Sequence, residues 1–147
     1  MNLVHFIKLS SAFGSFADAD IHALASAMEL REFPAGQALI TQGSPGDALY
    51  MLVDGTVQVS KVNSNGEHLD LKVLQVGEMF GLLSLLDDMA AAATCTAIGP
   101  VTVACITRER YRSLDTENRS VGFTLRFVLA SQLARDLQSF NRLALEQ

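Results

Sequence analysis

Residues 36–59, GQALITQGSPGDALYMLVDGTVQV, decide how this chain is read. Gly36, Gly43, Gly46 and Gly55 punctuate short runs of β-type residues, and Asp54-Gly55 is a pair that readily supplies the positive φ angle of a tight hairpin turn. The same texture continues to Thr107. Candidate strands are residues 38–41, 48–53, 56–62, 68–73, 93–98 and 101–107. Between them lie Gly43-Ser44-Pro45-Gly46, Asp54-Gly55, Asn63-Ser64-Asn65-Gly66, Gly77 and Gly99-Pro100. Strands spaced this regularly point to an all-β barrel or sandwich across residues 33–107.

Helical periodicity flanks that region on both sides. Leu3, Val4, Phe6, Ile7 and Leu9 fit a short apolar-faced helix that breaks at Ser10-Ser11. Asp18 can cap a second helix, with Ile21, Leu24, Ala25 and Met28 at helical spacing. Pro34 and Gly36 stop that helix near Leu30, so residues 1–32 are read as N-terminal helices. Residues 108–147 return to helix, with a short one over 108–114 and a long one from Glu117 to about Leu145. The fold class is therefore mainly β with flanking helices.

The chain has 147 residues, 49% of them apolar, which is enough for one core and one domain over residues 1–147. A net charge of −5 argues against wrapping nucleic acid, which needs a clustered basic surface. No apolar run reaches membrane-spanning length. The segment MNLVHFIKLSSAF carries its lysine after the apolar residues, the wrong order for a secretory signal. A cytoplasmic protein is the expectation. His5, His22 and His68 are scattered, so neither a metal site nor a catalytic constellation is expected. Cys95 and Cys105 are too few for an iron–sulfur cluster. If residues 98–101 close a hairpin, Cys95 sits opposite Ala104 while Cys105 faces the other side of the sheet, leaving two buried free thiols.

Read as a whole, residues 36–59 resemble the signature of cyclic nucleotide-binding domains, with the family's glycines, Tyr50 and alternating apolar residues in place. The likeness runs on through Val76-Gly77-Glu78-Met79-Phe80-Gly81 and covers essentially residues 12–145. It implies a double-stranded β-helix, or jelly-roll, flanked by N-terminal helices. It also implies a phosphate-binding cassette between two strands and a long C-terminal helix that closes over the pocket or dimerises.

The cassette aligns with residues 80–97, FGLLSLLDDMAAAATCTA. In the family this segment reads F-G-E-L, then, a few residues on, P-R-(Ala or Ser)-Ala-Thr; the glutamate accepts from the ribose 2′-hydroxyl and the arginine neutralises the cyclic phosphate. Here Phe80 and Gly81 match. Leu82 stands at the glutamate position with Leu83 after it. Ala90 stands for the proline, Ala91 for the arginine and Ala92 for the small residue, before Ala93 and Thr94. Asp87 and Asp88 add negative charge, and no lysine or arginine lies between Lys72 and Arg108. A charge-assisted hydrogen bond contributes roughly 1.5 to 3 kcal/mol, so losing both anchors removes orders of magnitude of affinity. Cyclic AMP and cyclic GMP are not expected to bind.

The long C-terminal helix carries two apolar stripes. Leu125, Leu129, Leu133, Leu137, Phe140 and Ala144 form one, and Phe123, Phe127, Ala130 and Ala134 form the other, a wider arc than one covering surface needs. A homodimer through this helix is expected, with Leu129, Leu133, Leu137 and Phe140 at its seam. No helix-turn-helix follows, so direct DNA binding is not expected. Two readings of function result. The first is a non-catalytic regulatory or scaffolding module that has lost conventional cyclic nucleotide binding and acts on an unidentified protein partner, with no cofactor. The second is a small-molecule sensor that binds a cyclic nucleotide atypically or holds a small apolar ligand.

Overall fold

The glycine-punctuated region folds into strands and the two ends fold into helices, as the pattern of residues demands. The computed structural model describes residues 2–82 and 89–145, with side chains followed as far as Gln138 in the last helix. In chain order come α1 (Leu3–Leu9), a 3-10 turn (Ser11–Phe13), α2 (Asp18–Ala27), β1 (Glu29–Phe33), β2 (Ala38–Ile40), β3 (Ala48–Asp54) and β4 (Val57–Val62). These are followed by β5 (His68–Leu74), β6 (Met79–Phe80), β7 (Thr94–Ala97), β8 (Val101–Thr107), α3 (Arg108–Glu117) and α4 (Arg119–Leu145). The chain divides into two compact units: Met1–Ser26 with Arg112–Gln147, and Ala27–Tyr111.

In the β unit, two four-stranded sheets run in the orders β1-β8-β3-β6 and β2-β7-β4-β5, with every pairing antiparallel. Directly paired residues share a face, so burial runs along rows through the central strands of each sheet. Tyr50 lies between Cys105 and Phe80, and Leu52 lies opposite Val103. In the other sheet Val57 lies between Ala97 and Leu74. These rows meet in one core of Ala48, Tyr50, Leu52, Val57, Leu74, Phe80, Cys95, Ala97, Val101, Val103 and Cys105. The turn after β4 is closed by Asn63, whose Oδ1 accepts the N–H groups of Asn65 at 3.0 Å and Glu67 at 2.9 Å. This is the local bonding that favours asparagine in turns.

Two expectations from the sequence are corrected here. The second helix stops at Ala27, not near Leu30, because Glu29–Phe33 pairs residue for residue with Val101–Cys105 as an edge strand. The β7–β8 hairpin does not form. Strand β7 pairs with β2 and β4, whereas β8 pairs with β1 and β3, so the Gly99-Pro100 turn carries the chain from one sheet to the other. Cys95 and Cys105 therefore enter the same core from opposite sheets, both free.

In the helical unit, Asn2 caps α1 by accepting the His5 N–H at 3.1 Å. Phe13 and Phe16 meet edge to face with centroids 5.2 Å apart. Ser120 donates to Asp20 at 3.2 Å, which ties the start of α4 to α2. Asn118 caps α4 through the Val121 N–H at 3.3 Å. Near that corner, Arg126 donates to Asp115 at 2.6 Å.

Candidate functional site

The residues that carry the resemblance to a cassette start where β6 ends. Phe80 stacks on Tyr50 with ring centroids 5.2 Å apart, and Phe33 meets Tyr50 edge-on at 6.4 Å. Gly81 follows with φ +81°, and a Cβ there would stand 2.8 Å from the Ala48 carbonyl oxygen. Only glycine fits this turn, both by its backbone angle and by the closeness of β3. Leu82 comes next and is buried, with 6% of its surface exposed. Leu83, Asp87 and Asp88 lie outside the described residues.

The outgoing arm is held by its backbone. Ala90 forms an antiparallel bridge with Pro45. Gly43 N–H donates to the Ala91 carbonyl and Ala91 N–H to the Ser44 carbonyl, both at 2.9 Å. Ala92 is exposed, whereas Ala93 and Thr94 are partly covered. The Thr94 hydroxyl accepts the Gln42 N–H at 3.0 Å where β7 begins. The Gln42 side chain in turn bonds Val62 twice, donating to its carbonyl at 2.9 Å and accepting its N–H at 2.8 Å.

Two cations that the segment between Lys72 and Arg108 does not supply share rows with core residues. On β1, Arg31 lies opposite Val103 and Glu29 opposite Cys105. Arg31 Nε donates to Glu29 Oε1 at 2.9 Å, and this bond holds its pKa above the usual value. On β5, Lys72 lies opposite Val59, which lies opposite Cys95. Its ammonium stands 3.5 Å from Glu78 Oε1. Each cation already has a carboxylate partner. Sequence reading missed Glu29, Arg31 and Gln42. The only signal for the first pair was their spacing of two, the period of a strand face.

The core thiols are chemically quiet. Burial pushes Cys95 up to about 11, with Lys72 opposing the shift. Burial likewise pushes Cys105 up to about 11, with Arg31 opposing and Glu29, 3.8 Å from its Sγ, adding to the rise. A thiol so rarely ionised is neither a nucleophile nor a ready metal ligand. Among the described residues no group of three His, Cys, Asp or Glu side chains could hold a metal ion.

On α4, the residues expected at a seam fall into different environments. Leu129 is fully buried with Val121, Leu125 and Val128, and Leu133 is partly covered. Leu137 is exposed, and the Phe140 side chain lies outside the described residues. The second stripe is the bare one: Phe123 is 69% exposed and Phe127 64%, and Ala130 and Ala134 are exposed beside them. No helix among the described residues is long and apolar enough to cross a membrane.

With this fold, a glycine-turned cassette entry and a clamped exit, the chain belongs to the cyclic nucleotide-binding domain family, whose profile matches residues 30–118. Two curated relatives resemble it in sequence. The cyclic AMP receptor protein of Thermus thermophilus is 30% identical over 139 residues, covering 91% of this chain and 64% of that protein. The cAMP-dependent protein kinase regulatory subunit of Aspergillus niger is 37% identical over 91 residues, covering 62% of this chain and 21% of that one. This chain thus spans less than two thirds of the length of either relative. A solved cyclic nucleotide-binding domain from Methylobacillus flagellatus superposes with a TM-score of 0.84 at 26% identity, over 99% of this chain and 82% of that one. The jelly-roll expected from the sequence is the fold of this family.

Proposed function

We propose that this chain works as a single, non-catalytic regulatory module that has lost conventional cyclic nucleotide binding and acts through protein–protein contacts. The observation that carries the reading is Leu82: an apolar side chain lies buried where the resemblance places a ribose-binding carboxylate. Ala91 presents a methyl group where a cation is needed, and Arg31 and Lys72 are each engaged by a carboxylate. A cyclic phosphate entering here would be desolvated without a charged partner, which costs several kcal/mol. Titration calorimetry with cyclic AMP and cyclic GMP, beside thermal shift at millimolar nucleotide, tests this. No heat and no shift are expected, and a dissociation constant in the low micromolar range overturns the reading.

The contact surface in this proposal is α4, and the partner is a second copy of the chain. Phe123, Phe127, Ala130, Ala134 and Leu137 are all exposed and recur at spacings of four, three, four and three. That is the ladder on which two helices interlock about a two-fold axis. The bare ladder supports the homodimer, and in this reading Phe123 and Phe127 join Leu137 at the seam while Leu129 packs within its own chain. Light scattering across micromolar concentrations tests it, and a monomer at tens of micromolar overturns it.

A further inference from the structure

We propose that residues 42–45 form a built-in strap that holds the outgoing arm of the cassette, residues 90–94, in place through bonds within the chain, independent of any nucleotide. This rests on the proposed loss of nucleotide binding and adds how residues 90–94 are held without it.

The strap runs from one sheet strand to another through groups that are all within the β unit. At one end, the Gln42 carboxamide mimics a neighbouring strand: it accepts the Val62 N–H at 2.8 Å and returns a donor to the Val62 carbonyl at 2.9 Å. Val62 is the last residue of β4 and lies beyond the last β4–β7 pair, Ser60 with Thr94, so the Gln42 side chain takes the place of a strand there. Its own N–H is fixed by the Thr94 hydroxyl at 3.0 Å. At the other end, Gly43 and Ser44 exchange two backbone bonds with Ala91, and Pro45 bridges Ala90. Five hydrogen bonds thus converge on residues 42–44 and 91–94 and their neighbour Val62. None uses a group that a cyclic nucleotide would supply. Backbone groups paired this way open only when the whole strap opens, so they are slow to exchange with solvent.

Amide hydrogen exchange by NMR on the full chain decides it. In the wild type without nucleotide, the Gly43 and Ala91 amides should be protected at least about a hundredfold over free peptide, and unchanged by cyclic AMP or cyclic GMP. Gln42→Leu removes both bonds to Val62 while keeping bulk, and Thr94→Val removes the acceptor for the Gln42 N–H. Each should speed exchange at Ala91 about tenfold and leave the core amides of Leu52 and Val103 unchanged. Ala91 exchanging at the free-peptide rate in the wild type overturns the strap. So does protection that develops only when nucleotide is added. Nucleotide binding to a chain whose Ala91 amide is already protected would defeat the loss-of-binding reading and leave the strap standing.

Discussion

The backbone of Gly122 passes so close to Asp115 that a Cβ on Gly122 would lie within 2.9 Å of the Asp115 Cα and closer still to its carboxylate. The contact is to backbone, which cannot rotate away, and Asp115 is also held by Arg126. Gly122→Ala should therefore force α3 and α4 apart at their corner and cost about 1–3 kcal/mol, although alanine is the better helix former. The urea midpoint should fall with the slope unchanged.

Nucleotide binding should be recoverable if the cradle is intact. Leu82→Glu alone places a carboxylate in a buried position and should destabilise the fold by about 2–4 kcal/mol, read as a lowered melting temperature. Leu82→Glu with Ala91→Arg should bind cyclic AMP measurably by calorimetry, and nucleotide should restore part of the lost stability. The clamp of Gly43 and Ser44 on Ala91 is the reason to expect that the arginine would emerge in the right place.

Buried and bare positions of α4 should respond oppositely to the same charge. Phe123→Asp with Phe127→Asp should give a folded monomer, with β-type circular dichroism retained and dimer affinity reduced on the order of a hundredfold or more, because each change is made twice across the axis. Leu129→Asp, at a fully buried position, should instead unfold or aggregate the chain. Light scattering with circular dichroism separates the two outcomes.

The thiols make an alkaline prediction. Folding raises both Cys95 and Cys105 from 9.0 to about 11, so the folded state favours the neutral thiol. The associated stability is complete below pH 9, where neither state ionises, and is lost as pH rises toward 11 because only the unfolded chain releases its protons readily. The urea midpoint should fall over this window, and less steeply in Cys95→Ala. At pH 8, iodoacetamide should alkylate the folded chain about a hundredfold more slowly than the unfolded one, in proportion to the thiolate fraction.

Strands β3, β4, β5 and β8 were legible in the sequence because each is long, rich in β-type residues and bounded by glycine or asparagine turns. Gly81 was equally legible, and so were the apolar residue types at Leu82 and Ala91, since residue type is read directly from position. Strand β1 was not. Glu29-Leu30-Arg31-Glu32-Phe33 has no apolar alternation of its own, follows a helical pattern, and becomes a strand only through its pairing with Val101–Cys105. The crossing at Gly99-Pro100 was hidden for the same reason. A turn signal says that the chain reverses, but which strand it then joins depends on which edge offers bonds and which face needs covering. Which α4 stripe stays bare, which cations meet carboxylates, and that Gln42 reaches Val62 are likewise outcomes of distant segments coming together. Periodicity and local bonding are encoded within a few residues, so sequence alone determined most of the elements and which residue types stand at Leu82 and Ala91. Burial and pairing are sums over the whole chain, so only the tertiary structure decided which of those elements touch.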